Sequence, residues 1–199
     1  MANGKRRRPG VPLDPQDPRR QRLREIIAAK AVLRGDFTLA SGQRSTIYFD
    51  GRKVTNDAEG VALVGALVEE IAQEAKAEAI GGPATGAIPI VTAAQIASYQ
   101  RRRALPGFYV RSERKAHGTG QLIEGNLPTA KGARVAVVED AITTGGSLLK
   151  AIEAIEAAGC KVAKVIVMVD RQQGGVENLR SKGYDVEALF KADGQGRIE

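Results

Sequence analysis

The sequence predicts an α/β fold built on a parallel sheet, and three observations carry that prediction. From Ala79 onward, short apolar runs alternate with helical stretches. Two of these runs, "ARVAVVED" and "KVAKVIVMVD", flank the helical "SLLKAIEAIEAAG" as a β–α–β unit requires. The runs are apolar almost throughout rather than at alternate positions, the pattern of strands covered by helices on both faces. At 199 residues and 43% hydrophobic content, the chain can bury the core of one domain with a small appended lobe.

In chain order, the first segment is basic and poor in apolar residues. Residues 1–24 hold Lys5, Arg6, Arg7, Arg8, Arg19, Arg20, Arg22 and Arg24 against Asp14 and Asp17, so nearly all of the net charge of +7 sits there. Four prolines and little apolar content before Leu23 mark residues 1–22 as a flexible tail in front of a domain over 23–199. Charge confined to a tail argues against nucleic acid as a partner, since the folded part is left near neutral. No run approaches the roughly 18–20 apolar residues of a membrane span, and no apolar segment follows the basic N-terminus as a secretory signal requires. A cytoplasmic protein that does not engage membranes is expected. The single cysteine, Cys160, stands just before an apolar run and should be buried rather than reactive.

Leu23, Ile26, Ile27 and Val32 or Leu33 fall near one helical face, which predicts an amphipathic helix. Two extended pieces in "GDFTLASGQRSTIYFDGRKV", around the turn-prone Ser41-Gly42, predict an antiparallel hairpin. Residues 23–55 thus form a small N-terminal lobe and residues 56–199 the core. Asn56, with Glu59 three residues on, is the expected cap of a helix carrying Val61, Val64, Val68, Ile71 and Ala75. "AIGG" leads as a strand into the helix "AIPIVTAAQIASYQRR", and "LPGFYV" is the next strand. Between it and "ARVAVVED" lies "RSERKAHGTGQLIEGNLPTAKG", a long polar insertion expected to be structureless and to serve as a functional lid.

The chemistry concentrates in residues 135–147, "VAVVEDAITTGGS". Ligands of open parallel sheets bind beyond the carboxyl ends of the strands, and Glu139 and Asp140 are expected to finish their strand there. The following "AITTGGS" opens a helix whose first amides lack intrahelical partners, while Gly145 and Gly146 let backbone approach a ligand. Thr143, Thr144 and Ser147 add hydroxyl donors. Two acids beside an anion site repel the anion unless they face a different part of the same ligand. Ribose hydroxyls suit carboxylate acceptors, and a Mg²⁺ ion offsets further negative charge. A phosphorylated sugar meets both demands. Neither G-x-x-x-x-G-K-[ST] nor a strand followed by G-x-G-x-x-G is present, which disfavours nucleotide triphosphatases and dinucleotide enzymes.

These 13 residues resemble the phosphoribosyl-pyrophosphate (PRPP) motif of type I phosphoribosyltransferases. Three further stretches resemble, within that superfamily, the orotate phosphoribosyltransferases. They are "FTLASGQRSTIYFD" (residues 37–50, the hood), "RSERKAHGTG" (111–120, the mobile catalytic loop) and "VDRQQGG" (169–175, the base-recognition segment). The resemblance runs from Leu23 to the C-terminus and implies the type I phosphoribosyltransferase fold, a parallel central sheet flanked by helices with a small N-terminal hood. It implies that Glu139 and Asp140 contact the ribose hydroxyls, and that Ala141, Ile142, Thr143, Thr144, Gly145, Gly146 and Ser147 bind the rest of the phosphoribosyl group. Thr143 and Arg171 match positions that touch orotate, while Arg111, Lys115 and His117 match residues that close over the pyrophosphate. Lys115 and Asp140 are the implied catalytic residues. No protein metal ligands are implied, since Mg²⁺ would ride on substrate oxygens and water. A homodimer is implied, with the loop of one chain closing the partner's site.

Three departures limit the transfer. Many relatives carry a lysine where this chain has Ala40, Gly86 and Ser112, and Arg52 and Lys53 are candidates to meet the charge instead. The implied reaction converts orotate and PRPP to orotidine 5′-monophosphate and pyrophosphate in pyrimidine synthesis. The alternatives are a phosphoribosyltransferase for another base and a PRPP-binding regulator that binds RNA.

Overall fold

The computed structural model describes residues 14, 16–38, 44–113 and 121–199. Helix α1, Pro18–Lys30, starts where Asp17 accepts a hydrogen bond from the Arg19 amide and Pro18 supplies a preset φ at the first turn. Residues 18–22, which the sequence reading leaves in the tail, therefore belong to the folded unit. Their arginines anchor them: Arg19 pairs with Asp17 at 2.6 Å and Glu70 at 2.7 Å, and Arg22 pairs with Glu59 at 2.8 Å. Arg20 donates to the Leu189 carbonyl at 2.7 Å and lies over the Phe190 ring. The buried stripe is Leu23, Ile26 and Ile27, at the helical spacing expected.

Strands β1, Val32–Thr38, and β2, Arg44–Phe49, pair antiparallel from Val32↔Phe49 to Thr38↔Arg44, so the hairpin expected for the hood is present. Phe37 and Tyr48 pack ring to ring at 5.5 Å. A short helix α2, Arg52–Thr55, precedes the long α3, Ala58–Glu74. The cap of α3 is Asp57, whose carboxylate accepts from the Gly60 amide at 2.9 Å, and not Asn56. Asn56 is already committed, since its side-chain amide donates to the Arg52 carbonyl and closes α2.

The core follows as β3, Ala79–Gly81; α4, Ala87–Gln100; β4, Phe108–Val110; β5, Ile123–Gly125; β6, Arg134–Ile142; α5, Gly146–Ala157; β7, Lys161–Asp170; α6, Gly175–Ser181; and β8, Val186–Lys191. The parallel sheet runs β3-β6-β7-β8, and β4 lies along the free side of β3 through the bridges Ile80↔Gly107 and Pro83↔Val110. Strand side chains alternate between the faces. Ala136, Val138, Ile166 and Met168 pack into the cluster that includes α1, α3 and α4; Val135, Val137, Val165 and Val167 pack into the cluster of α5 and α6. All eight are essentially inaccessible, and burying such a valine or isoleucine contributes about 1.5–3 kcal/mol. Helices on both faces are thus what the apolar runs demand. Cys160 is buried, its thiol within 3.3 Å of the Pro128 carbonyl.

Two expectations need correction here. The insertion after β4 is not structureless throughout, because β5 pairs antiparallel with β4 from Phe108↔Gly125 to Val110↔Ile123. Pairing of β4, just before the insertion, with β5, inside it, fixes residues 123–125 alongside the sheet. Strand β6 also does not end at its acids: Ala141 and Ile142 still pair with Val169 and Asp170 of β7, because β7 runs equally far.

Candidate active site

From β3 the chain passes through α4 to β4 on one side, whereas β6 lies on the other side of β3 and feeds α5 and β7 away from it. The connections therefore part between β3 and β6, and such a switch point opens a crevice beyond the strands' carboxyl ends. Residues 82–86 and 143–147 line that crevice.

Glu139 is 7% exposed and pairs with Val167 within the sheet, yet its carboxylate accepts from the Ser147 hydroxyl at 3.3 Å. Asp140 accepts from the Ala141 amide at 2.9 Å. The two carboxyls converge on Gly86, where an added Cβ would stand 2.6 Å from Asp140 Oδ1 and 2.9 Å from Glu139 Oε1. Gly51 presses on Asp140 from the hood side, with its Cβ position 2.7 Å from Oδ2. Two glycines 35 residues apart in sequence thus make the room in which both acids sit. Burial, reinforced by the neighbouring charge of Asp140, pushes Glu139 up to about 8. Burial also raises Asp140, opposed by the Ala141 amide and, more weakly, by Arg52. Burial and mutual repulsion thus favour a proton shared by the pair in the empty site.

The turn after β6 is set by Gly145, whose φ of +83° suits glycine, and α5 begins with no side-chain cap on its amides. Gly175, whose Cβ would stand 2.4 Å from the Thr143 carbonyl, lets α6 pack under this turn. Thr144, Gly146 and Ser147 are exposed, while Ile142 is buried in the α5–α6 core and its carbonyl accepts from the Arg171 amide at 3.0 Å. The result is an open set of amides and hydroxyls with positive helix-end polarity, suited to an anion. Beside it stand carboxyls suited to hydroxyl groups.

Arg171 follows the end of β7, next to this turn. It is half-buried, and none of the described residues gives its guanidinium a hydrogen bond or ion pair. Burial lowers its pKa from the ordinary value, with Tyr48 of the hood near enough to oppose that shift. A desolvated guanidinium without a counter-ion is suited to receive a carboxylate. Arg52 and Lys53 line an open depression of about 460 Å³ together with Lys30, Asp50 and Asn56. Arg52 is paired with Asp50 at 2.9 Å and Lys30 with Asp57.

Of the sequence-expected residues, Glu139, Asp140, the 141–147 turn and Arg171 are brought together at adjacent strand ends. Arg111 stands apart at the mouth of the β4–β5 hairpin, its guanidinium 3.4 Å from Glu124. Lys115, His117 and Ala40 lie outside the described residues. Sequence reasoning missed Gly51, Tyr48 and Glu124. Glu124 is one of two acids, with Glu113, in the insertion and carries no signal of its own in the sequence, and all three become visible only through contacts across the fold.

The phosphoribosyl transferase domain family matches residues 52–186 of this chain. The orotate phosphoribosyltransferase of Nostoc sp. is 42% identical over 172 residues, which is 86% of this chain and 82% of that protein. The orotate phosphoribosyltransferase of Sorangium cellulosum is 40% identical over 171 residues, 85% of this chain and 89% of that one. Among solved structures, the orotate phosphoribosyltransferase of Mycobacterium tuberculosis H37Rv is similar with a TM-score of 0.77 at 36% identity, covering 87% of this chain and 97% of that one. Its complex with PRPP gives 0.74 at 33% identity over 87% and 96%.

Proposed function

The chain belongs to the orotate phosphoribosyltransferases of the phosphoribosyl transferase family, and on that premise we propose how its residues divide the transfer of the phosphoribosyl group from PRPP to orotate. The observation that carries the reading is the juxtaposition of three features at neighbouring strand ends. These are the buried Glu139–Asp140 pair, the uncapped start of α5 and the unpaired guanidinium of Arg171.

The 143–147 turn holds the 5′-phosphate through backbone amides and the Thr143, Thr144 and Ser147 hydroxyls. Asp140 and Glu139 take the ribose hydroxyls. As the bond to pyrophosphate breaks, positive charge grows on the sugar, and a carboxylate fixed beside it favours the transition state over the ground state. Thr143 and Arg171 orient orotate, with the guanidinium on the orotate carboxylate. Arg111, Lys115 and His117 meet the charge that collects on pyrophosphate. A magnesium ion would suit this donor set, since two close carboxyls favour a cation whose waters they can accept from, and Glu139 and Asp140 are the residues that would hold those waters. When bound, it neutralises charge on the leaving group.

Orotidine 5′-monophosphate and pyrophosphate are the products, in the synthesis of pyrimidine nucleotides. A cytoplasmic homodimer is the form proposed. Ile96 and Tyr99, 54% and 81% exposed on α4, offer an apolar face for a second copy. The RNA-binding alternative loses support from the arginines of α1, since Arg19, Arg20 and Arg22 are engaged within the fold. The test is to follow orotate absorbance with PRPP and Mg²⁺, with uracil and hypoxanthine in parallel. Consumption of orotate alone is expected; turnover of hypoxanthine or uracil in its place would assign another base.

A further inference from the structure

The hairpin that carries the loop contains an ion pair with an unusual geometry. Arg111 is the residue just beyond β4, and its amide donates to the Leu122 carbonyl at 2.9 Å, adding one rung to the pairing of Tyr109 with Glu124. Directly opposed residues of an antiparallel pair share a face, as do residues two apart, so Arg111 and Glu124 are diagonal neighbours on one face of the hairpin. The Arg111 guanidinium meets Glu124 through Nη1 alone, at 3.4 Å. Its Nε is buried and has no hydrogen-bond partner among the described residues.

Arginine grips a phosphate most strongly with two parallel N–H groups. A carboxylate holding Nη1 leaves the opposite edge, Nε and Nη2, for that grip, and a buried Nε without an acceptor is costly until one arrives. The base of the hairpin is fixed to the crevice. Val110 donates to the Gly82 carbonyl at 2.9 Å and accepts from the Ala84 amide at 2.7 Å, within the same connection that ends at Gly86 against the two acids. Gly125 sustains the close approach, with φ of +97° and a Cβ position only 2.7 Å from the Gly107 carbonyl.

We propose that Glu124 is a positioning residue for the transfer: by tethering Nη1 of Arg111 it presents the Nε–Nη2 edge to the pyrophosphate of PRPP. This rests on the reading of Arg111 as a pyrophosphate contact. Glu124 itself touches no substrate.

The test is a double-mutant cycle on the full chain with Arg111→Met, Glu124→Ala and the double variant. It reads Mg²⁺-pyrophosphate binding by calorimetry alongside kcat and KM for PRPP and for orotate. Glu124→Ala should weaken pyrophosphate about tenfold, with KM for orotate unchanged, and should have no further effect once Arg111 is Met. Glu124→Gln keeps an oxygen at the same reach and should recover most of the loss. Multiplicative effects in the double variant, or equal weakening of orotate and pyrophosphate, would mean that Glu124 merely holds the hairpin together and would overturn the proposal. If Arg111→Met leaves pyrophosphate binding intact, the reading of Arg111 itself is wrong. If Arg111→Met weakens it and Glu124→Ala does not, only the role of Glu124 falls. Circular dichroism of each variant separates these outcomes from unfolding.

Discussion

The end of β6 and the hairpin of β4 and β5 carry opposite charges and are held in opposite ways. Strand β6 is nine residues long, hydrogen-bonded to β3 and β7 on its two sides, and covered by helices on both faces. Its acids cannot move without moving the sheet. The hairpin strands are three residues each, and Arg111 beyond them is 38% exposed in its side chain. The difference fits the roles proposed for the two sets of charges. Carboxyls proposed to stabilise charge on the sugar have to be fixed and desolvated in advance, which the exposed end of a hairpin of three-residue strands cannot provide. Cations that meet a leaving group have to let it enter and depart, which a rigid sheet would prevent.

The sharpest way to strain this contrast is at the rigid side. Arg171→Met removes the partner of a desolvated carboxylate, a loss worth about 2–5 kcal/mol. KM for orotate should therefore rise far more than KM for PRPP. Equal changes in both would show that Arg171 supports the turn rather than reads the base. Steady-state kinetics with each substrate varied in turn decides between them.

Glu139→Gln should act on stability. The folded protein keeps the Glu139 proton up to about 8, whereas the unfolded chain releases it near the ordinary 4.5. Between those values the folded state binds more protons, so the ligand-free protein loses stability as pH rises through that window. Each unit of displacement corresponds to about 1.4 kcal/mol, which makes the total a few kcal/mol. The Gln variant should remove this slope and melt higher than wild type at pH 8 while turning over PRPP poorly. An unchanged pH dependence of Tm would mean that Glu139 is ionised in the empty site.

On the hairpin side the expected effect is smaller. Gly125→Ala places a side chain at positive φ and against the Gly107 carbonyl, a strain of about 1–2 kcal/mol. It should loosen the β4–β5 pairing and lower kcat for PRPP turnover, leaving orotate affinity unaltered and global Tm nearly so. A large drop in Tm would show that the hairpin is as integral to the core as β6 is.

How much of this was legible in the sequence follows the same divide. Residues 135–147 are contiguous, so strand, acids, glycines and helix start are read in one pass, and the fold class with them. The hairpin is assembled from two separated stretches, and nothing local to "LIEGN" says that it pairs with "GFYVR". Gly51 and Gly86 matter through Asp140, far from both in sequence, and only tertiary packing reveals that. The end of β6 was misjudged because adjacent acids look like punctuation, whereas its neighbour β7 continues to Asp170. The start of α1 was misjudged for the opposite reason. Asp17-Pro18 is a helix-start signal, but the arginines around it read as solvated until Glu59 and Glu70 of α3 are placed opposite them. Helix α6 and strand β8 went unassigned, the helix being too short at seven residues to show a periodicity.

On the proposed reading, the fixed acids and the loop cations complete one site contributed by two chains. Lys115→Ala chains and Asp140→Asn chains, each nearly inactive alone, can be mixed under conditions that allow subunit exchange and assayed for orotate consumption. If the loop closes the partner's site, each mixed dimer contains one site with both residues intact. Random pairing makes about half the dimers mixed, so activity should climb toward about a quarter of wild type. If exchange is verified by mass and activity stays at the level of the separate variants, each loop serves its own chain and the shared site is contradicted.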